Sequence, residues 1–314
     1  MKNSIIRTGV LSLVIAFASC SENSEILPND SQTRSTQVSI TDAPIDNAEV
    51  SGAFVTITDV KVNGVSIEGF NATTVDLMTL QNGKKKLLGN LDLKVGAMSD
   101  VRLVLDYDFD AEGNTPGSYV QTNNGIKHKL EASSNEIIIA DRVEVLVGSA
   151  NEIIIDFDLR KTIIKSNSIG SNFDFVTELE LSNGLRLVNN AAAGSVSGVV
   201  SDNSNTAETI VVFAYETGVY TEAETSGQGA SNVQFANATS STIVSSNATY
   251  NLNFLKEGNY EIKFAAYEDS DNDGELELKG MLDVESTMGL NVNSLNVSSG
   301  KNINLLINVN GLKK

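Results

Sequence analysis

Along residues 101–110 apolar and polar side chains alternate with a period of two. Val101, Leu103, Leu105, Tyr107 and Phe109 fall on one side, and Arg102, Asp106, Asp108 and Asp110 on the other. The same period recurs further on, where Ile153, Ile155, Phe157 and Leu159 oppose Asp156, Asp158 and Arg160. Such alternation predicts strands with one face on a core and the other in water. The denser apolar runs at 137–139 and 143–147 predict strands covered on both faces.

The second half repeats the theme. Ala248, Tyr250, Leu252 and Phe254 alternate with Thr249, Asn251 and Asn253, and Tyr260, Ile262 and Phe264 alternate with Glu261 and Lys263. Between them Lys256-Glu257-Gly258-Asn259 reads as a turn, so the two runs predict a β-hairpin. Residues 305–309 read as a closing strand, and no segment carries a long capped helix pattern. Many short strands between turn residues predict an all-β chain of two β-sandwich-like domains. The boundary between them is expected at 189–194, where Asn-Asn-Ala-Ala-Ala-Gly interrupts two strand-like stretches.

The first twenty residues depart from this pattern. Lys2 and Arg7 precede an apolar stretch at 10–18, followed by Ser19 and Cys20. A basic start, a short apolar centre and small residues at the cut describe a secretory signal over 1–19. The stretch falls short of the roughly 20 apolar residues that span a bilayer. Phe17-Ala18-Ser19-Cys20 resembles a bacterial lipobox, with Phe where Leu is more usual. That resemblance implies a diacylglycerol on the sulfur of Cys20, the only Cys in the chain, and a membrane anchor built from several acyl chains. Residues 20–35 then read as the lipidated Cys and a flexible polar tether, 36–189 as the first domain and 194–314 as the second. The expected location is the outer membrane, on its periplasmic side or at the cell surface.

Charge narrows the partners. Forty acids against 22 bases give −18, and loss of Lys2 and Arg7 with the signal leaves −20. That balance argues against nucleic acid, whose phosphates need clustered Lys and Arg. One His, one Cys and no Trp leave no Cys-rich zinc site, no disulfide framework and no His pair for a shared metal.

Between residues 36 and 189 the order of features resembles a bacterial family known as domain of unknown function 4382. The residues that carry the likeness are Thr41-Asp42-Ala43-Pro44, Val75-Asp76-Leu77 with Leu80, Leu88-Gly89, Gly96, the run from Val101 to Leu105, and Asp156-Phe157-Asp158 with Lys161. The family usually closes on a Leu-Lys-Pro-type strand; here Leu185-Arg186-Leu187-Val188 lacks the proline. The resemblance fits secreted lipoproteins of Bacteroidota-type bacteria and implies no reaction. Residues 194–200 and 255–262 resemble strands of carboxypeptidase-regulatory-like or transthyretin-like sandwiches, which are usually accessory scaffolds.

Asp269-Ser270-Asp271-Asn272-Asp273-Gly274 is the sharpest local feature, with six acids and no base across 268–277. Oxygen ligands at alternating positions before a Gly are what Ca²⁺ loops use. Gly280 at the twelfth position and strand-like flanks exclude the helical form. Two readings stand: a β-hairpin loop holding Ca²⁺, or a solvated acidic turn. In the first, Asp269, Asp271 and Asp273 give side-chain oxygens, Glu275 a backbone carbonyl, and Glu277 a direct or water-mediated ligand. Asp106, Asp108 and Asp110 read as a carboxylate ladder on one strand face, favoured as a solvated edge. Asp42 with Asp46, or Asp156 with Asp158, could pair for glycoside hydrolysis only if held at the right separation. His128 sits in a strand segment read as exposed, and Lys84-Lys85-Lys86 reads as a solvated turn.

No catalytic residue is assigned. The sequence is read as a non-enzymatic, membrane-anchored lipoprotein acting as a binding or scaffold module toward an unknown protein or glycan. One alternative is an adhesin or assembly subunit that pairs edge strands. The other is a carbohydrate-active protein using paired acids.

Overall fold

Residues 32–43, 47–166, 172–271 and 276–314 are described by a computed structural model. The signal segment, Cys20 and most of the tether lie outside these residues, as do Asp46, Asp273 and Glu275. The chain is all-β: among the described residues the α-helices are α1 (Leu159–Thr162) and α2 (Glu178–Gly184), four and seven residues long. None is long and apolar enough to cross a membrane.

The first body is a pair of facing sheets. Its principal strands are β1 (Thr33–Ala43), β2 (Val50–Val62), β3 (Lys86–Lys94), β4 (Val101–Asp106), β5 (Tyr119–Thr122), β6 (Lys127–Lys129), β7 (Glu136–Ile138), β8 (Glu152–Asp158) and β9 (Leu185–Asn189). One sheet has the order β9-β8-β1-β3, and the other runs β7-β4-β2-β5-β6 with Val65–Ser66 and Thr73–Asp76 added to β2. Ile40 and Ile155 of the first sheet and Ile57 and Leu103 of the second share one core without exposure. β1 begins at Thr33, so the last three residues read as tether are strand.

β4 keeps the alternation expected of it, with Val101, Leu103 and Leu105 buried. The pattern then stops short of the expected carboxylate ladder. Asp106 Oδ1 accepts hydrogen bonds from the backbone N–H groups of Asp108 and Phe109, and Asp110 Oδ1 from those of Glu112 and Asn114. Short acidic side chains that bond their own backbone favour turns over strands. The chain therefore bends, the three carboxylates share no strand face, and Phe109 is exposed. The runs at 137–139 and 143–147 are likewise one-sided: Ile138 and Val147 face outward while Ile137, Ile139, Val143 and Val145 are buried. The strand covered on both faces is β8, all seven residues of which are buried.

The second body carries β10 (Ala193–Ser201), β11 (Thr209–Glu216), β12 (Ser240–Ile243), β13 (Thr249–Lys256), β14 (Gly258–Glu268), β15 (Glu277–Ser286) and β16 (Ile307–Leu312). Their order is β12-β11-β14-β15-β16-β10-β13, with short strands Leu295–Val297 beside β14 and Asn302–Asn304 beside β10. The expected hairpin of β13 and β14 does not form: β13 pairs with β10, and β14 with β11 and β15. The two strands instead face each other across the curled sheet, where Tyr250 and Phe264 meet edge to face at 5.7 Å. Both apolar faces are buried that way, which side-by-side pairing in a flat ribbon would not achieve. The hairpin in this region is β14–β15, and it encloses the acidic loop. Gly198 of β10 passes so close to the strand-end carbonyl of Leu305 that a Cβ would lie 1.9 Å from that oxygen.

A single 3-10 turn, Asn190–Ala192, joins the bodies. It is pinned by Asn189, whose amide donates to Glu144 O and Asn151 Oδ1 while its oxygen accepts from Ala191 N.

Candidate functional site

The polar face of β8 was expected in water, and the second body covers it. Asp156 and Asp158 are each 4% exposed. Antiparallel register sets Asp156 opposite Arg186 of β9, and their side chains form an ion pair at 2.6 Å. The same guanidinium donates across the seam to the carbonyls of Asn253 and Phe254 at 3.3 and 2.6 Å. Phe254 has a φ of 52°, in the left-handed region, and the alternation of β13 breaks there. Ile154 and Val188 pack beside these charges against Ala193 and Phe254.

Asp158 caps α1 by accepting from Lys161 N at 3.3 Å. That short turn sends two cations into the second body. Arg160 donates to the carbonyls of Gln234 and Phe235 and to Ser241 Oγ, and lies 5.0 Å over the ring of Phe213. Phe213 stacks in turn on Phe235 at 4.2 Å, both rings fully buried. Lys161 Nζ donates to Ala238 O at 2.9 Å. Burial holds this ammonium below its ordinary range, against the opposing pull of Asp158. On the other side Asp42 Oδ1 accepts from Leu159 N at 3.3 Å. Burial, and then the negative charges of Asp156 and Asp158, push the Asp42 carboxyl well above the usual carboxylate range. Buried charges persist only with partners, and here the partners come from both bodies.

A second clamp lies at α2. Thr177 and Glu180 form a capping box, and Glu180 Oε1 also accepts from Ser231 N of the second body at 3.0 Å. Burial raises the Glu180 carboxyl, but the hydrogen bonds from Ser231 and Thr177 outweigh it and bring its pKa down to about 2. The Asn82-Gly83 turn completes the contact: Gly83 has a φ of 78° and a Cβ there would meet Asn253 at 2.9 Å.

The acidic loop is partly described. Asp269, Asp271 and Glu277 place one carboxylate oxygen each within 4.8 Å of the others, close enough to share one ion. Ser270 donates from its N and Oγ to Glu277 Oε2 at 2.8 and 2.9 Å. Three of the five expected ligands are thus brought together; Asp273 and Glu275 fall outside the described residues. All-oxygen donors on a short hairpin suit a hard cation such as Ca²⁺.

The other sequence candidates are absorbed into packing. His128 is half-buried rather than exposed, with its ring 5.5 Å from that of Phe173. Lys85 pairs with Glu152 and Lys86 donates to Thr73 Oγ1, so that run is not a free solvated turn. Sequence reasoning assigned no role to Arg160 or Arg186. Their signal was the mixture of both charge signs within the apolar stretches of β8, α1 and β9.

Residues 34–174 match a family described as "Domain of unknown function (DUF4382)". No curated protein matches the chain. Among solved structures, the major pilin subunit BcpA of Bacillus cereus shares 11% identity, over 89% of this chain and 70% of that one, at a TM-score of 0.23. The minor pilin of Streptococcus agalactiae shares 12%, over 89% and 97%, at 0.22. The fimbrial anchor protein of Porphyromonas gingivalis shares 13%, over 87% and 91%, at 0.17. TM-scores this low assign neither ligand nor partner.

Proposed function

We propose that this chain is a non-enzymatic module of the bacterial cell envelope: a two-body β scaffold, anchored through acyl groups on Cys20, that presents a binding or assembly surface. The observation that carries this reading is the seam. The buried cluster of Asp156, Asp158, Arg160, Lys161 and Arg186 faces the other body, engaged with backbone carbonyls and with each other, rather than an open cleft. Asp156 is held by Arg186 and Asp158 caps α1. This arrangement supports a structural role for these acids over glycoside hydrolysis, which needs two carboxyls free to flank a sugar bond. The β14–β15 loop adds a Ca²⁺ site on Asp269, Asp271 and Glu277, which stiffens the exposed end of that hairpin.

Two measurements test the reading. Thermal unfolding of residues 21–314 is followed in EDTA and then across a calcium titration. Ligand bound to the native state alone adds about 1.4 kcal/mol at ten times Kd, so a saturable rise of a few degrees is expected, and Asp271→Asn removes it. A flat titration to 10 mM calcium sinks the metal part. For the anchor, full-length protein is expected in the detergent phase of a phase partition and Cys20→Ala in the aqueous phase; equal partitioning refutes it.

A second reading, strand-pairing assembly, is favoured by one observation. β3 is nine residues long, lies at the end of its sheet, and exposes Leu87. An unpaired edge of that length is a template for another strand. Concentration-dependent oligomers abolished by a proline at Leu87 distinguish it.

A further inference from the structure

The seam contains a cavity of about 20 Å³, lined by Asp42 and Asp156 of the first body and by Ser240, Thr242 and Asn251 of the second, among others. A space of that size holds one water or one ion. Three of the residues around it carry a buried oxygen with no hydrogen-bond partner: Asp42 Oδ2, Asp156 Oδ1 and Asn251 Oδ1. Both aspartates are more than nine-tenths buried, at 7% and 4% exposure.

Two observations separate the occupants. With Asp42 ionised, three oxygen acceptors border the space while a water molecule has only two hydrogens to offer, and a cation both favours that ionised form and takes oxygen ligands alone. The charges are also unevenly matched. Asp156 has Arg186, and Asp158 has Arg160 and Lys161 at 3.8 and 3.7 Å. Asp42 has no Lys or Arg within ion-pair range among the described residues; its Oδ1 accepts from Leu159 N–H, and the Gln81 side chain that also bonds to this carboxyl carries no charge. A buried carboxylate without a counter-charge is costly.

We infer that this cavity is the binding site of a single hard cation, coordinated by Asp42 and Asp156 from one body and Asn251 from the other. Donors that are all oxygen select Na⁺ or Ca²⁺ over thiolate- and imidazole-seeking metals. Because its ligands come from both bodies, the ion fastens them together. The site is separate from the β14–β15 loop, and neither proposal depends on the other.

The test uses the mature chain, residues 20–314, carrying Asp271→Asn to silence the loop. Protein is stripped with chelator, dialysed into choline chloride, and unfolded thermally across NaCl and CaCl₂ titrations at constant ionic strength. The expected result is a saturable rise of at least about 3 °C with one of the two salts. The salt that acts identifies the ion as monovalent or divalent. In the calcium case one equivalent of metal also stays with the dialysed protein. Adding Asp42→Asn is expected to abolish the rise, and adding Asn251→Ala to raise the half-effective concentration at least tenfold. Flat curves with both salts, or a rise that survives Asp42→Asn, overturn the site and leave a water or a proton in the cavity. The titrations of the Asp271→Asn protein leave the seam unaltered, so flat curves refute the inference even if a seam variant fails to fold.

Discussion

Replacing Arg160 by Ala tests the seam directly. The guanidinium is the donor for the part-buried carbonyl of Gln234 and the buried carbonyl of Phe235, and one of the two cations beside Asp158. Each acceptor left unpaired costs about 1–3 kcal/mol. Removing one member of a buried charged cluster typically costs about 3–5 kcal/mol. These contributions overlap, so the expected loss is about 3–5 kcal/mol, a large part of the roughly 5–15 kcal/mol by which domains are stable. Arg160→Lys keeps the charge but not the planar fork, and is expected to lose less. The assay is guanidinium unfolding followed by circular dichroism and by tyrosine fluorescence. Five of the seven tyrosines lie beyond residue 194 and there is no Trp, so fluorescence reports mainly the second body. In the native protein the two probes are expected to share one midpoint; in Arg160→Ala the midpoints separate as the bodies uncouple. A loss below about 1 kcal/mol with coincident midpoints would refute the claim that this side chain joins the bodies. Arg102→Ala is the control: its ion pairs with Asp100 and Glu136 lie at the surface, and the midpoint is expected to stay where it is.

Glu180 gives the pH dependence. Its folded pKa of about 2 lies below the ordinary 4.5, so its contribution is complete above about pH 4.5 and is lost as pH falls toward 2. Acid unfolding of the native chain is expected to steepen in that window, and Glu180→Gln to flatten it; identical slopes would count against the Ser231 clamp. Gly198→Ala drives a methyl into the Leu305 carbonyl and should cost about 1–3 kcal/mol, read as a lower Tm; an unchanged Tm would show that β10 has room to move. Phe213→Ala removes the fully buried ring between Arg160 and Phe235, and about 3–5 kcal/mol is expected from the urea midpoint; a loss under about 1 kcal/mol would mean the stack carries little.

The sequence by itself determined which side chains share a strand face. Val101, Leu103 and Leu105 point into the first core, and Tyr260, Ile262 and Phe264 into the second, because a period of two is a property of the extended backbone alone. The crowded acids at 268–277 were also legible, since their repulsion needs no partner elsewhere in the chain to be recognised. Which strands lie side by side was not: β13 and β14 follow one another through a Gly-containing turn, yet the curl of the sheet sets them face to face. Nor could periodicity tell what covers a polar face. Asp156, Asp158 and Arg160 alternate with Ile155, Phe157 and Leu159 just as they would on a solvated strand. Alternation records only that two faces differ. Water and a wall of backbone carbonyls both satisfy charged side chains, so the same residues suit either neighbour. Only the tertiary structure, by folding residues 234–254 over β8, α1 and β9, decided that these charges are interior.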